Sequence, residues 1–550
     1  TGTHNTLVGG LAGDALTTGS YNIAIGHYTL SAEDGHGKNI AIGFAALSVQ
    51  NAGADAYNVA IGFDAGQSVT TGVQNTLIGG LAGDALTTGG GNVAIGISAL
   101  GTEDAHGRNV AIGPHALGAQ DAGVDAYNVA IGYETGLAVS TGIKNTIIGS
   151  FAGDALTTGS YNVALGQDAL THEDTGSANV AIGFQALYDL NAGADAYNVA
   201  VGFAAAENVS TGVRNVIMGG IAGNALTTGS YNVAIGYSAL STENAHGRNV
   251  AIGHHALAAQ DAGADAYNVA IGFYAGTAIT TGPNNVIIGG LAADALTTGS
   301  NNIAIGVGAL GAEDGSSYNI AIGTNALQVQ NAAADAYNVA IGHNAGTAVS
   351  TGVRNILIGG FAGDALTTGG YNVGIGYNTL SSEDGNGYNV AVGTYTLATL
   401  NAGADAFNTA LGYGAGLNIS TGINNVIIGG QAGDALTTGS YNIAIGRNAL
   451  STEDAHNANI AIGHAALGVQ NAGVDAYNVA VGHEAGAAMI SGIKNTLIGG
   501  NAGDALTIGN FNVALGYHAL TTSVDGDANV AIGYEALGVY EDGDGNGHNT

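Results

Sequence analysis

Apolar residues along this chain come in bursts of three, each opened by asparagine and closed by glycine. The pattern Asn-[Val/Ile/Thr]-[Ala/Leu/Ile]-[Ile/Val/Leu/Met]-Gly begins at Asn5, Asn22, Asn39 and Asn58 and restarts at Asn75, so the steps are 17, 17, 19 and 17 residues. The cycle holds through Asn529, and the last step, to Asn549, is 20. This makes 31 full motifs, one of them with Gly374 at the third place, and a 32nd beginning at Asn549. A second marker, Gly13-Asp14-Ala15-Leu16-Thr17-Thr18-Gly19, returns near-identically from Gly83, Gly153, Gly223, Ala293, Gly363, Gly433 and Gly503, a 70-residue period without insertions. We name the four segments of each period A, B, C and D, starting at Asn5, Asn22, Asn39 and Asn58.

A three-residue apolar run between turn residues predicts a short strand. A second apolar pair, such as Ala46-Leu47, predicts a second strand in each segment. Asn and Gly at the ends are expected to supply the positive φ angles of the corners. Each segment is then one turn of a β-solenoid. A helical reading fails, because the apolar positions do not follow a 3.6-residue period and helical repeats usually span about 33 to 47 residues. The fold expected is all-β: a parallel β-solenoid (β-roll) of about 32 coils of 17-17-19-17 residues. Residues 1–550 read as a single continuous array of eight 70-residue units, the last truncated, with no separate globular domain. An array that stops inside a motif reads as a segment of a longer one. The alternative is a complete protein with blunt ends, lacking the polar caps that arrays need.

Stacking at about 4.8 Å per coil places like residues over one another. Asn22, Asn39, Asn58 and Asn75 should form an amide ladder, with Gly26, Gly43, Gly62 and Gly79 as a column of corners. Successive strand residues point to opposite sides. The first and third positions, such as Ile23 and Ile25, are expected to fill the coil. The second position, Leu7, Ala24, Ala41, Ala60 and Leu77, then points outward as an apolar stripe. Soluble monomers rarely expose such a stripe, which predicts a homo-oligomer closing around it. A wide single-chain coil burying both sides of the strand is the alternative.

The residue before each Asn holds aromatics and cations: Tyr21, Lys38 and Tyr57, and then Tyr197, Arg214, Tyr231, Arg248 and Tyr267 in consecutive coils. Seven of the eight basic residues stand in this column, Arg447 being the exception. Stacking makes it a cation–π ladder worth about 0.5–1 kcal/mol per exposed contact. A Tyr-lined receptor surface is the competing reading.

Composition narrows the function. Glycine is 96 of 550 residues, charged residues are 9%, and 41 acids against 8 bases leave a net charge of −33. Such acidity opposes contact with nucleic-acid phosphates and anionic lipid. No run approaches the roughly 18 apolar residues of a membrane-spanning helix. With no cysteine, disulfide scaffolds, thiolate metal sites and cysteine catalysis are excluded. Acids recur at Asp14, Glu33, Asp34 and Asp55, which read as staggered solubilising columns. Adjacent acids such as Glu33-Asp34 do not specify the separated pair a glycosidase needs. No catalytic, cofactor-binding or metal residues are assigned. Asp525-Gly526-Asp527 and Glu541-Asp542-Gly543-Asp544 could hold Ca²⁺ but match no established calcium loop.

Histidines one or two residues past the motif glycine (His27, His115, His254, His255, His343, His464, His483, His518) stand where other coils have Phe44, Tyr133, Gln167 and Arg447, so the position reads as solvent-facing. His36, His106, His246 and His456 in the B loops are 70 or more residues apart, and would share an ion only around a symmetry axis. Thr17-Thr18 and Thr70-Thr71 raise ice binding, but B and C coils interrupt the array.

The repeats, as in Asn58-Val59-Ala60-Ile61-Gly62 followed by Ala65-Gly66, resemble the head repeats of YadA-like trimeric autotransporter adhesins. They are also similar to NTAIG-type repeats of phage tail-fibre proteins, notably of marine phages. The likeness covers the whole chain, although these coils have longer loops. It implies a left-handed, homotrimeric parallel β-roll with aliphatic strand residues inside. The expected function is a structural fibre segment, a rigid shaft or head of a virion tail fibre or cell-surface adhesin, extracellular and supporting viral or cellular attachment. Its partners would be itself and a host-surface receptor or glycan, without nucleic acid or membrane insertion. The alternatives are a repetitive solenoid binding ice or glycan and a self-assembling extracellular filament subunit. No enzymatic role is expected.

Overall fold

A computed structural model of the protein describes residues 2–539 and 549–550. The chain forms two compact units, Thr1–Tyr274 and Ala275–Thr550. Both are built from the same coil. The first contains β1 (Thr6–Val8) to β16 (Val269–Ile271), and the second β17 (Val286–Ile288) to β31 (Val530–Ile532). Every described strand is the three-residue run between a motif Asn and its Gly. Within each unit, neighbours pair in parallel with no slip: Ile23 faces Ile40, Ala24 faces Ala41 and Ile25 faces Ile42. In the second unit Ile443, Ala444 and Ile445 face Ile460, Ala461 and Ile462. The protein is thus an all-β parallel solenoid of about 31 turns, as the spacing predicts.

Each coil has one strand, not two. The second apolar pair lies in a turn, with its leucine in the left-handed region: φ is 50° at Leu30 and Leu47 and 55° at Leu100. A left-handed residue cannot continue a β-ladder, so only single bonds cross there, such as Leu30 N–H to Ala46 C=O at 3.0 Å and Leu47 N–H to Ala65 C=O at 3.1 Å. The corner differs too. Motif asparagines lie outside the left-handed region, which the preceding residue occupies instead: φ is 63° at Tyr21, 64° at Lys38 and 55° at Tyr57. Such a residue costs about 1–2 kcal/mol, so the hydrogen bonds that it positions must compensate.

The motif glycines behave as expected. Gly26, Gly43 and Gly62 have φ of 139°, 134° and 149°, and a Cβ on any of them would lie 2.2–2.3 Å from the carbonyl oxygen of the corner glycine one coil on. No side chain fits there, and this close approach sets the column.

The largest correction concerns the two faces of the strand. The second position points inward: Ala24, Ala41, Ala60 and Leu77 are completely buried. Leu7 is exposed only because its coil is the first described strand. The first and third positions, expected inside, are mostly half-buried, and several are exposed. The interior is narrow. It is filled by the second strand position, by turn pairs such as Ala99-Leu100 and by a loop residue such as Val69 or Leu86.

Volume explains how Leu or Ile fits where other coils have Ala. In B and C coils a strand Ala goes with a turn Leu, as in Ala94 with Leu100 and Ala111 with Leu117. In A coils the strand residue is large and the equivalent turn residue is glycine, except that Ala293 goes with Ile287. A Cβ on Gly83 would lie 2.9 Å from Leu77 Cδ2 and 2.8 Å from Leu86 Cδ1. Close-packed interiors tolerate little net change in volume, and the exchange Ala/Leu for Leu/Gly keeps it roughly constant.

Candidate functional site

The buried asparagines form a continuous hydrogen-bonded column within each unit. It differs from a simple amide stack. Each Oδ1 accepts the backbone N–H of the next motif Asn: Asn22 Oδ1 from Asn39 at 3.0 Å, Asn39 from Asn58 at 3.1 Å, and Asn58 from Asn75 at 2.8 Å. The Nδ2 usually donates to a loop carbonyl fourteen residues on, as Asn75 does to Gly89 at 2.9 Å. C coils break this rule, because their two extra residues displace that carbonyl. Nδ2 of Asn39, Asn109, Asn179 and Asn249 is buried without a hydrogen-bond partner. A buried glutamine also serves the column: Gln50 Oε1 accepts from Asn58 Nδ2 at 2.8 Å, and Gln330 Oε1 from Asn338 Nδ2 at 2.6 Å. Its 70-residue recurrence was a usable signal that the spacing argument did not exploit.

The aromatic and cationic column is real and exposed. Arg214 lies 6.0 Å from the Tyr197 ring and 5.5 Å from Tyr231; Arg248 lies 5.7 Å from Tyr231 and 5.4 Å from Tyr267. Arg248 also bonds the Tyr267 hydroxyl and pairs with Asp265 at 3.4 Å. A second aromatic column occupies the position after the motif glycine, where Phe44 stacks on Phe63 at 5.3 Å and His254 on Phe273 at 5.5 Å. Part of the ring surface is thus engaged by neighbouring rings, face to face in these pairs and edge to face in others, such as Tyr377 with Tyr395. Threonine hydroxyls are likewise engaged: Thr70 and Thr87 donate to the carbonyls of Thr87 and Asp104, one coil on, at 3.2 and 2.9 Å.

The two columns of Val, Ile, Leu and Thr at the first and third strand positions form the apolar face of each unit. Val59 and Ile61, Val129 and Ile131, and Ile443 and Ile445 are half-exposed. Every strand of both units adds a pair.

The acids divide into two kinds. Asp55 is at the surface, where its Oδ2 pairs with Lys38 Nζ at 2.9 Å and its Oδ1 accepts the Gly37 N–H at 3.2 Å. Glu33 was expected in a solubilising column, yet it and its counterparts Glu103, Glu173, Glu243, Glu313, Glu383 and Glu453 are completely buried. Each closes its B loop by accepting the N–H three residues on, as from His36 at 3.0 Å and Gly176 at 2.7 Å. Burial raises the Glu33, Glu103 and Glu173 carboxyls and pushes Glu243 up to about 7.

A groove of about 490 Å³ is lined by Asp84, Ser98, Thr102 and His115 among others. Among the described residues no hydrogen bond joins Ser98, His115 and Asp84 to one another. Of the two candidate Ca²⁺ segments, Glu541-Asp542-Gly543-Asp544 lies outside the described residues. In the other, Asp527 Oδ1 is engaged by the Asn510 N–H at 2.6 Å. No described helix is long and apolar enough to cross a membrane. The chain matches no protein-family model and no curated protein.

Proposed function

We propose that the chain is a structural fibre segment that self-associates, as a homotrimer, through its two aliphatic columns. It would serve outside the cell as a shaft or head of a phage tail fibre or surface adhesin. The observation that carries this reading is the mostly aliphatic pair at the first and third positions of every strand, half-exposed or exposed throughout. Isolated soluble chains seldom expose a contiguous apolar patch beyond about 300–600 Å², and in each unit the two columns run through fifteen or more strands. Partner chains covering them would remove that surface from water at about 25 cal/mol per Å². The number three rests on the resemblance to trimeric adhesin heads. The load-resisting parts are backbone bonds, the Asn column and interlocked glycines, which suit a stiff spacer. The glycan and ice readings gain less support, since part of the ring surface and the threonine hydroxyls are already engaged.

Solution mass by light scattering tests this reading. The expected mass is three times that of the chain. Val110→Asp, Val129→Asp and Ile131→Asp together should leave each chain folded by circular dichroism and weaken association, so that the mass falls toward one chain on dilution sooner than for wild type. A wild-type protein that stays monomeric at tens of micromolar would overturn the proposal.

A further inference from the structure

The buried B-loop glutamates lead to a second site. In four of the seven B coils that carry this glutamate, the residue three positions on is histidine, giving the pairs Glu33/His36, Glu103/His106, Glu243/His246 and Glu453/His456. In the first, second and third of these pairs the imidazole Nδ1 stands 3.9, 3.8 and 3.8 Å from the glutamate Oε1, too far for a hydrogen bond. Those three Nδ1 atoms are buried without a hydrogen-bond partner, and so is the second carboxylate oxygen, Oε2, of Glu33, Glu103, Glu243 and Glu453. A buried carboxyl oxygen without a partner costs several kcal/mol; at Glu33, Glu103 and Glu243 it recurs beside an unpaired ring nitrogen, whereas His456 Nδ1 bonds Glu453 Oε1 at 2.8 Å.

Coils without the histidine mostly resolve this differently. Glu173 Oε2 accepts the Ala192 N–H at 3.3 Å, and Glu313 Oε2 accepts the Ser316 hydroxyl. Only Glu383, followed by Asn386, keeps its Oε2 unpartnered without a histidine. Further carboxylates converge where the histidine is present. Ligand atoms of Glu103, Asp104, His106 and Asp121 all lie within 4.8 Å of one another, as do those of Glu243, His246 and Asp261. Asp121 and Asp261 come from the following C loop, so each group spans two coils.

We propose that these loops bind a divalent transition-metal ion of the Zn²⁺ class, held by the buried glutamate, the histidine Nδ1 and an adjacent aspartate. The spacing suits one ion. Two ligands each about 2.1 Å from a metal lie about 3.4 Å apart at the tetrahedral angle and about 3.8 Å apart at about 130°. Imidazole with carboxylates favours Zn²⁺ and its neighbours over Ca²⁺ and Mg²⁺, which prefer all-oxygen shells. Glu103 and His106 sit on a closed loop, while Asp104 and Asp121 are exposed and free to adjust by a few tenths of an ångström. At Glu103 and Glu243 the ion would tie a B loop to the following C loop; at Glu33 and Glu453 the aspartate, Asp34 or Asp454, comes from the B loop itself.

The test is Zn²⁺ binding by the full chain at pH 7 in millimolar Ca²⁺, which occupies nonspecific acidic sites, with Co²⁺ as a visible-absorption probe. Up to four ions per chain are expected. His106→Gln should remove one, and the quadruple variant H36Q/H106Q/H246Q/H456Q should lose them all, together with the Co²⁺ bands, while circular dichroism stays unchanged. The half-exposed histidines make that fold-neutral outcome the expected one. If the quadruple variant misfolds, Asp121→Asn, at an exposed ligand, must weaken its site at least tenfold. Zn²⁺ binding that is equal in wild type and variants, or that Ca²⁺ abolishes, would overturn the proposal.

Discussion

Removing one asparagine from the buried column should loosen the coil by an amount that depends on the coil type. In an A coil, Asn215 Oδ1 accepts the Asn232 N–H at 2.9 Å, and its Nδ2 donates to the Gly229 carbonyl at 2.9 Å. Asn215→Ala strands both buried backbone groups. Each should cost about 1–3 kcal/mol, so the total is about 2–6 kcal/mol. In a C coil, Asn179 Oδ1 accepts the Asn198 N–H at 3.1 Å, while its Nδ2 has no partner. Asn179→Ala therefore strands one group and should cost about 1–3 kcal/mol. The readout is hydrogen exchange at the strand amides of 233–235 and 199–201, followed by mass spectrometry. At about 1.4 kcal/mol per decade, Asn215→Ala should speed local exchange by roughly 30-fold to 10⁴-fold, and Asn179→Ala by roughly the square root of that. If both variants accelerate exchange equally, or either by less than about threefold, the column does not carry the load assigned to it.

Three further outcomes are expected. Gly219→Ala should unfold its coil, because the new Cβ would lie 2.5 Å from the Gly236 carbonyl oxygen, whereas Gly263→Ala meets nothing within 4 Å and should cost only about 1–2 kcal/mol for its left-handed φ of 70°; urea midpoints of the two variants distinguish them. Ala60→Asp places a charge inside a closed coil and should destabilise the fold by several kcal/mol in thermal unfolding, while Val59→Asp, on the half-exposed face, should spare the fold and weaken association. Burial raises the Glu173 carboxyl, so with rising pH the unfolded chain loses this proton before the folded one does. Stability contributed at this site is then full below about pH 4 and declines up to the folded value. Glu173→Gln should gain on wild type as pH rises from 4 to 7; parallel stability–pH curves would contradict this.

Much of the architecture is legible in the chain because a solenoid is nearly one-dimensional. Asn22, Asn39, Asn58 and Asn75 mark the register, and with parallel stacking a repeat in sequence becomes a column in space. The tyrosine–arginine column from Tyr197 to Tyr267 follows from the same reasoning, as does the close approach at Gly26, Gly43 and Gly62. The asparagine hydrogen bonds were harder to read. Only the structure shows that Oδ1 seeks the next backbone N–H, and that C coils leave Nδ2 unpaired at Asn39, Asn109, Asn179 and Asn249 but not at Asn319, where Ser316 accepts from it.

The sequence by itself determined the period, the strand position within it and the parity of the strand, with Ala24 on one side and Ile23 and Ile25 on the other. It did not determine which side is the inside. Both sides are apolar, so the usual contrast between buried and solvated positions is missing. Tertiary structure settled this through volume: the coil is narrow, small residues fit within it, and Leu77 is accommodated because Gly83 gives up the space that Leu100 and Leu117 fill in the next two coils. The same closure drew Glu33 out of the apparent solubilising acids and into the interior beside His36. Hydropathy could not reveal that burial, because the loop pays for it with a backbone N–H at 3.0 Å and not with apolar neighbours in the sequence.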